Sequence, residues 1–343
     1  MGSVTIKGKI IDSFLFSDAY EKELLLIKFI LEAPYINEWI ILENAYSFQG
    51  EYKGLNAADL INDDERFLPY KDRITFITKE MEPEVLNKEI VQDEKAFRVE
   101  FWQRDLAHDY FINKYDEDDW IIISDVDEAL DFTDDDRCKE LFGRMADDAL
   151  GMLHVSTKRY WFDFDNEYKI LYGIPMCTKK YLLSTRKKLH NVRFDYHADL
   201  KMTWNCIIGF EYSSCFKADN IIHKLETGSH MGFSIENLQE ALFCNHRIIS
   251  EERKITLKPT DKFFLDTISL TAANSPRYVR ENLASLKTHN IHPGYKENRY
   301  QAYPHFYSGF YHFNEMINEK RMFMKKKFRN LLIKLRLKKL IYG

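Results

Sequence analysis

The stretch WIIISDVDEAL, residues 120–130, decides how this chain is expected to fold. Residues 120–124 form a nearly unbroken apolar run, which is typical of a strand buried on both faces. Asp125 and Asp127 follow at its carboxyl end. Because residues two apart in an extended chain point the same way, both carboxylates are expected on one side while Val126 returns to the core. The sequence therefore predicts a pair of acids at the mouth of a sheet.

This pair of acids is a candidate site for a divalent cation. Two hard oxygen ligands beside one another suit Mg²⁺ or Mn²⁺, and such a site leaves coordination positions for a diphosphate. A cation held there neutralises the charge that builds on a nucleotide leaving group. The alternative is that Asp125 and Asp127 simply end a strand in solvent.

Two other acid-rich sites compete with this interpretation. An EF-hand is excluded, because the stretch DVDEALDFTDDD lacks glycine at the sixth loop position. A phosphatase of the haloacid-dehalogenase type also has two such acids after an apolar strand, usually near the chain start and with Thr or Val two residues later. Here Ala129 occupies that position and several predicted elements precede the motif, so the phosphatase is the weaker alternative.

Outward from this stretch, short apolar runs alternate with helix-like segments. Strands are predicted at KIIDSFLF, ending near Asp12, at WIILEN and at ITFITKE. Helices are predicted at YEKELLLIKFILEA and at FRVEFWQRDLAHDYFINKY. This alternation predicts a largely parallel α/β sheet, in which ligands bind outside the carboxyl ends of the strands.

The composition and the predicted secondary structure change after Asp131. Thr133 is predicted to cap a helix whose first turn is acidic, and residues 152–245 are rich in β-formers and aromatics, which predicts antiparallel strands. The predicted organisation is a catalytic domain over 1–260 with a nucleotide-binding half (1–135) and an acceptor half (136–260), a helical extension over 261–319, and a basic amphipathic tail over 320–343.

Composition describes an acidic body with a basic tail. All 54 Asp and Glu but only 39 of the 49 Lys and Arg precede residue 320, and an acidic body disfavours nucleic-acid binding. The five cysteines form no CxxC pair and are expected to be reduced thiols. The sequence shows no apolar signal core and no run of about 18 apolar residues, so a cytoplasmic protein is expected.

The tail supports two interpretations. Its stripe of Phe328, Leu331, Leu332 and Leu335 lies among basic residues, a pattern typical of a helix resting on an anionic membrane at its inner face. The alternative is that the stripe docks on the acidic body of the same chain or of a neighbouring one. The sequence leaves the oligomeric state open.

Several blocks together resemble glycosyltransferase family 17, over most of residues 8–315. Glu43, Phe48 and Gly50 match the family's Glu…Thr-Phe-x-Gly pattern, and FWQRDLA resembles its Gln-Arg-Asn helix with Asp105 in place of Asn. DDWIIISDVDEAL, which contains Asp125 and Asp127, is close to the family's own form of this acidic motif, in which an Asp-Glu pair stands at the end. Later blocks are KRYWFDF, GFEYSSCFKADNIIHKLETGSH and AYPHFYSGFYHF.

The resemblance implies a GT-A fold, which is Rossmann-like with a mixed central sheet and C-terminal helices. It implies metal-dependent, inverting transfer of a sugar, GlcNAc first among the choices, from a UDP-sugar to a saccharide hydroxyl, with Mn²⁺ or Mg²⁺ as the cation. A bacterial or viral enzyme of surface polysaccharide biosynthesis is the expected setting. A glycan-binding relative without catalysis is the alternative.

Residue roles carried over from the resemblance stay expectations. Asp12, Glu43, Arg104, Asp105 and Asp125 are expected around the nucleotide, although Arg104 on its helix could equally pin Glu43 or Asp12. The expected metal ligands are Asp125, Asp127 and His230, with a structural role for His230 as the alternative. The pair His289 and His292 is interpreted as loop.

The acceptor side holds the candidate bases. An inverting transfer needs a group that deprotonates the attacking hydroxyl, and Glu211 is preferred to Asp195 or Asp199. Gly209-Phe210-Glu211 stands where the family commonly has Gly-Trp-His, which leaves the acceptor and the donor sugar open. The remaining candidates are aromatics that either stack on sugars or belong to the core: Tyr160, Trp161, Phe162, Trp204 and Phe210.

Overall fold

A computed structural model shows an α/β architecture built on one large mixed sheet. The structure describes residues 6–80, 92–148, 150–161, 163–194, 202–213 and 265–287, together with 215, 220, 223, 224, 227, 248, 249, 256 and 257.

The strands are β1 (Ile10–Leu15), β2 (Ile36–Asn44), β3 (Ile74–Lys79), β4 (Trp120–Asp125), β5 (Glu128–Leu130), β6 (Met152–Trp161), β7 (Asn166–Thr178), β8 (Met202–Ser213), β9 (Ile248–Ile249), β10 (Thr256–Leu257) and β11 (Leu265–Thr267). The α-helices are α1 (Lys22–Glu32), α2 (Ala57–Asp63), α3 (Gln92–Lys114), α4 (Asp135–Asp147), α5 (Lys179–Thr185), α6 (Leu189–Arg193) and α7 (Arg277–Leu286). Short 3₁₀ helices cover Ala19–Glu21 and Glu65–Arg73.

The sheet has a parallel half and a mixed half. Its strand order is β3-β2-β1-β4-β7-β6-β8-β5, with β11 added beside β7. The first four strands in this order are all parallel, as the alternation of strands and helices predicts. Beyond β4 the sheet turns antiparallel through β7 and β6, and β8 then runs parallel to β6. The predicted Rossmann-like fold with a mixed central sheet is therefore confirmed by the topology.

Helix α1 packs between two hydrophobic clusters. Its predicted apolar face joins the cluster around Tyr160 and Tyr212, while its other side joins the cluster under β1 and β2. The residues of the first face are Leu24, Ile27 and Leu31, and those of the second are Leu25, Leu26 and Phe29. Because the helix is apolar on both sides, it is buried along most of its length.

A fully buried ammonium group links this helix to the sheet. Lys28 Nζ on α1 lies 2.5 Å from Asp12 Oδ2 on β1 and 3.1 Å from Glu32 Oε1. It also donates to Ser124 Oγ at 3.0 Å and to the Glu128 carbonyl oxygen at 2.5 Å. Ser124 Oγ donates in turn to Asp12 Oδ1. One side chain thus joins α1, β1 and both ends of the predicted acid motif.

Three local predictions differ from the structure. β1 runs three residues beyond Asp12, so this carboxylate lies inside the strand rather than at its end. Asp134, not Thr133, caps α4 by accepting from the Arg137 backbone N–H, because the Thr133 hydroxyl is already bonded to Asp131. Strand β11 lies in the stretch for which the sequence suggested helices, before α7.

Among the helices that the structure describes, none is both long enough and apolar enough to cross a bilayer. The tail over 320–343, with its proposed membrane or protein contact, lies outside the described residues.

Replacing Lys28 with methionine tests the buried network. Lys28→Met leaves Asp12 and Glu32 buried without their cation, so we expect a loss of about 3–5 kcal/mol in the free energy of unfolding. Urea unfolding followed by circular dichroism measures this. The control is Lys139→Met, which removes an exposed partner of Asp136 and should unfold close to wild type. Equal midpoints for the two variants would contradict the assignment.

Candidate active site

The two acids of the motif lie in a tight turn at the carboxyl edge of the parallel strands. β4 ends at Asp125, which pairs in register with Leu15 at the end of β1. Val126 is buried in the core, as the alternation predicts, and Asp127 closes the turn. The chain then enters β5, which pairs with β8 on the far side of the sheet. The motif therefore connects the last parallel strand, β4, to the edge strand of the mixed half, β5.

Two arginines hold the carboxylate of Asp125. Arg104 Nη2 lies 2.6 Å from Asp125 Oδ1, and Arg193 Nη2 lies 3.0 Å from Asp125 Oδ2. Each guanidinium also donates to a carbonyl oxygen of β4, Arg104 to Ser124 and Arg193 to Ile123. Burial opposes ionisation of Asp125, but the charges of Arg104 and Arg193 outweigh it and hold the pKa of this carboxyl well below its usual range.

A third acid completes the turn. Glu128 accepts the Asp125 backbone N–H at 2.9 Å through Oε2 and receives Arg193 Nη2 at 2.7 Å through Oε1. Burial raises the pKa of Glu128 to about 7, although the charge of Arg193 opposes this shift. Because Glu128 stands directly opposite Glu211 across the β5–β8 pair, the turn is connected to the mixed half of the sheet.

Asp127 has a different kind of partner. Lys224 Nζ lies 2.9 Å from Asp127 Oδ2, and the Tyr212 backbone N–H donates to the Asp127 carbonyl oxygen. The neighbouring His223 lies 3.3 Å from Asp18 Oδ2 and against the ring of Tyr20, both in the loop after β1. Residues 223 and 224 therefore link the β1 loop to the acid turn.

Glu211 lies on β8 beside this turn. Its Oε2 accepts from Arg159 Nε on β6 at 2.7 Å. A side chain at Gly209 would come within 2.3 Å of Thr157 Cγ2, so glycine is needed for β6 and β8 to approach closely here. Burial raises the pKa of Glu211, the charge of Arg159 opposes the shift, and the charge of Asp127 adds to it. Glu211, the predicted base, therefore lies next to the acid turn.

Glu21 is a buried acid that the sequence did not single out. It lies in the 3₁₀ turn after β1, and its Oε2 accepts the Ser17 backbone N–H at 2.7 Å. Burial raises the pKa of Glu21 to about 8, while the nearby ammonium of Lys224 opposes the shift. Its only sequence signal is an acid just beyond the carboxyl end of a buried strand.

Three residues expected around the nucleotide bind other groups of the chain itself. Asp12 is fully buried beside Lys28, because its strand extends further than predicted. Glu43 caps α2 by accepting the backbone N–H groups of Asn56 and Ala57. Asp105 bonds the backbone and the ring of His190. These placements favour structural roles, since their carboxylate oxygens are occupied by groups of the chain itself.

Asp105 fastens α6 to α3. It accepts the His190 backbone N–H at 3.1 Å and lies 2.6 Å from His190 Nδ1. The His190 ring also stacks on Phe101. Because Arg193 lies on the same short helix as His190, Asp105 positions one of the two arginines that hold Asp125.

Other predicted residues are either core or outside the described part. Tyr160 and Phe210 are completely buried in a hydrophobic cluster, so their rings present no face to a sugar. The candidates outside the described residues or side chains are His230, Asp195, Asp199, His289, His292, Trp161, Phe162 and Trp204. Among the residues that are described, no three His, Cys, Asp or Glu side chains form a metal cage.

Comparison with known families now identifies the chain. The model of glycosyltransferase family 17 matches residues 2–231, which is more than half of the sequence. The chain belongs to glycosyltransferase family 17. The family-17 assignment confirms the resemblance and makes the protein a glycosyltransferase, so the phosphatase alternative is wrong.

Solved structures give only slight similarities to this family-17 chain, and no curated protein matches its sequence. The galactosyltransferase LgtC, in complex with donor and acceptor sugar analogs, is 13% identical over 64% of this chain and 80% of that chain, with a TM-score of 0.27. A Francisella tularensis 2-C-methyl-D-erythritol 4-phosphate cytidylyltransferase is 9% identical over 52% and 80%, with a TM-score of 0.25. A Helicobacter pylori mannose-6-phosphate isomerase is 12% identical over 75% and 99%, with a TM-score of 0.29.

The buried position of Glu21 makes stability depend on pH. Its pKa of about 8 in the folded chain exceeds the value of about 4.3 expected when unfolded, so the folded state retains a proton that the unfolded state loses. We expect wild type to lose stability relative to Glu21→Gln as pH rises from about 4 to about 8, by on the order of 3 kcal/mol.

Urea unfolding at several pH values measures this difference. Glu65→Gln, at an exposed acid, is the matched control and should follow wild type. A constant gap between wild type and Glu21→Gln at all pH values would show that folding does not shift the pKa of Glu21.

Proposed function

We propose that this family-17 glycosyltransferase moves a sugar, GlcNAc first among the candidates, from a UDP-sugar to a saccharide hydroxyl. We propose further that the transfer depends on Mn²⁺ or Mg²⁺ and inverts the anomeric centre. The observation that carries the proposal is the acid turn at the carboxyl edge of the parallel strands, where α/β sheets bind their ligands.

The side chains of the turn suit a divalent cation. Asp127 offers hard carboxylate oxygens, and one of them already attracts a cationic group, the ammonium of Lys224. Both oxygens of Asp125 receive guanidinium groups, so Asp125 is held in place and Asp127 is the better-placed ligand. With two carboxylates, most of the coordination would come from phosphate oxygens and water, as is common for Mg²⁺. His230 stays a proposed third ligand.

When bound, the cation supplies Lewis-acid stabilisation of the departing diphosphate. The chain contributes the surrounding charges. Arg104 and Arg193 fix Asp125 and place two guanidinium groups at the mouth of the sheet, where anionic oxygens are favoured. Because these groups are already oriented by carbonyl oxygens and acids, little reorganisation is needed when charge develops on the donor.

Glu211 is the proposed general base. Its carboxylate lies across the β5–β8 pair from the acid turn, and its raised pKa makes it a stronger base than a solvated glutamate. In the proposed step, Glu211 accepts the proton of the acceptor hydroxyl while that oxygen attacks the anomeric carbon and the nucleotide leaves. Arg159 holds Glu211 in place.

The contacts of Asp125 give a second reason to set the phosphatase aside. A nucleophilic aspartate needs one oxygen free for attack, and both oxygens of Asp125 are bound to arginines. A glycan-binding relative without catalysis would not need the cationic groups gathered at this turn.

Asp127→Asn tests the proposed cation ligand. The amide keeps the volume but removes the charge, so we expect UDP-sugar turnover to fall about 100-fold or more and to lose its Mn²⁺ dependence. Turnover is measured by release of the corresponding nucleotide (UDP, GDP or CMP) from UDP-, GDP- and CMP-sugars with and without Mn²⁺. Asp136→Asn, at an exposed acid, is the control and should remain active. Full activity of Asp127→Asn would refute the ligand role.

Glu211→Gln tests the proposed base. Removal of a general base typically costs 10²- to 10⁴-fold, so kcat should fall by about that much while the Kd for UDP stays unchanged. Arg159→Met separates catalysis from structure. Since Arg159 lowers the pKa of Glu211, its loss should raise that pKa and move the acidic limb of the rate profile to higher pH. If the acidic limb of the pH–rate profile is the same in Arg159→Met and wild type, the base is another residue.

A further inference from the structure

The cationic groups around the acid turn are not equivalent. Arg104 is held by Asp125, by the Ser124 carbonyl oxygen and by Glu100 at 3.0 Å. Arg193 is likewise held by two acids and a carbonyl oxygen. Both arginines are almost completely buried. They form the fixed part of the site.

Lys224 is placed differently. Its side chain is 29% exposed, whereas the side chains of Arg104 and Arg193 are 3% and 5% exposed. An ammonium on a four-carbon stem is also a compact charge that can turn between partners, unlike a forked guanidinium. Lys224 therefore stands at the open side of the turn, on the carboxylate that we propose as the cation ligand.

A divalent cation and Lys224 compete for the same carboxylate. The ammonium lies 2.9 Å from Asp127 Oδ2, and an Mg²⁺-like ion would lie at about 2.0–2.1 Å from a carboxylate oxygen. Two positive charges so close together repel. An ion that binds Asp127 through Oδ2 takes the place of the ammonium, so binding at this oxygen breaks the Lys224–Asp127 pair.

We propose that Lys224 is the resident counter-ion of Asp127 and that the divalent cation displaces it. Lys224 thereby weakens cation binding to the empty enzyme. A nucleotide diphosphate gives the displaced ammonium a new anionic partner, so cation and nucleotide strengthen each other's binding. This inference rests on the proposed function, which makes Asp127 a cation ligand. It adds that Lys224 couples binding of the cation to binding of the nucleotide.

The test is a Mn²⁺ titration of the full chain without nucleotide, with free Mn²⁺ followed by electron paramagnetic resonance. Lys224→Met removes the competing charge and keeps the stem, so we expect its Kd for Mn²⁺ to be about tenfold lower than that of wild type. Lys224→Arg keeps a positive charge and should bind Mn²⁺ as wild type does. The matched control is Lys158→Met, whose lysine also lies 2.9 Å from its acid, Glu167, and should not change the Kd.

A second titration with saturating UDP measures the coupling. UDP should lower the Mn²⁺ Kd of wild type more than that of Lys224→Met, because the variant has no ammonium to transfer to the diphosphate. An unchanged or weaker Mn²⁺ Kd in Lys224→Met would overturn the proposal. If this variant does not fold by circular dichroism, Lys224→Gln takes its place, with the same expectation.

These titrations measure binding and not transfer, so they separate the two proposals. Tighter Mn²⁺ binding by Lys224→Met in a protein that turns over no UDP-sugar would support the role of Lys224 and contradict the proposed donor. Unchanged Mn²⁺ binding in an active transferase would overturn the role of Lys224 alone.

Discussion

The ammonium of Lys28 is the interaction on which the remainder of the site depends. It lies with no solvent exposure between Asp12 on β1 and Glu32 on α1, and it also bonds the side chain of Ser124 and the carbonyl oxygen of Glu128. Charges taken out of water cost several kcal/mol each unless they are fully paired. Because this ammonium has acids and hydroxyl or carbonyl oxygens around it, the network fixes the geometry of every element that contributes to it.

The Lys28 network holds the acid turn in place. The acid turn lies between Ser124, which precedes it, and Glu128, which follows it, and Lys28 bonds to both. Arg193 also links Asp125 to Glu128 across the turn. With both ends anchored, the carboxylates are held at the edge of the sheet before any ligand arrives. Preorganisation of this kind is what electrostatic catalysis requires.

The same turn also joins the two halves of the sheet electrostatically. Glu128 stands opposite Glu211, and Asp127 raises the pKa of Glu211 through its negative charge. A cation that neutralises Asp127 would therefore lower the pKa of Glu211. On the proposed mechanism, binding of the cation at Asp127 thus changes the ionisation of Glu211, a coupling that needs no movement of the backbone.

The sequence by itself determined the parts that depend on local pattern. The apolar run before Asp125 predicted a buried strand, its alternation placed Val126 in the core, and the spacing of Leu24, Ile27 and Leu31 predicted one face of α1. Only the tertiary structure decided which charges meet. Asp12 was expected at the nucleotide and instead pairs with Lys28, since strand ends are set by pairing with neighbours.

The partners of the acid turn follow the same rule. Arg104 on α3, Arg193 on α6 and Lys224 come from three separate parts of the chain, and tertiary packing brings them together at the acid turn. Hydrophobic periodicity depends on residues that are close together in the sequence, so it can be recognised without the fold. The pairing of distant charges depends on distances of a few ångströms that only the folded sheet fixes.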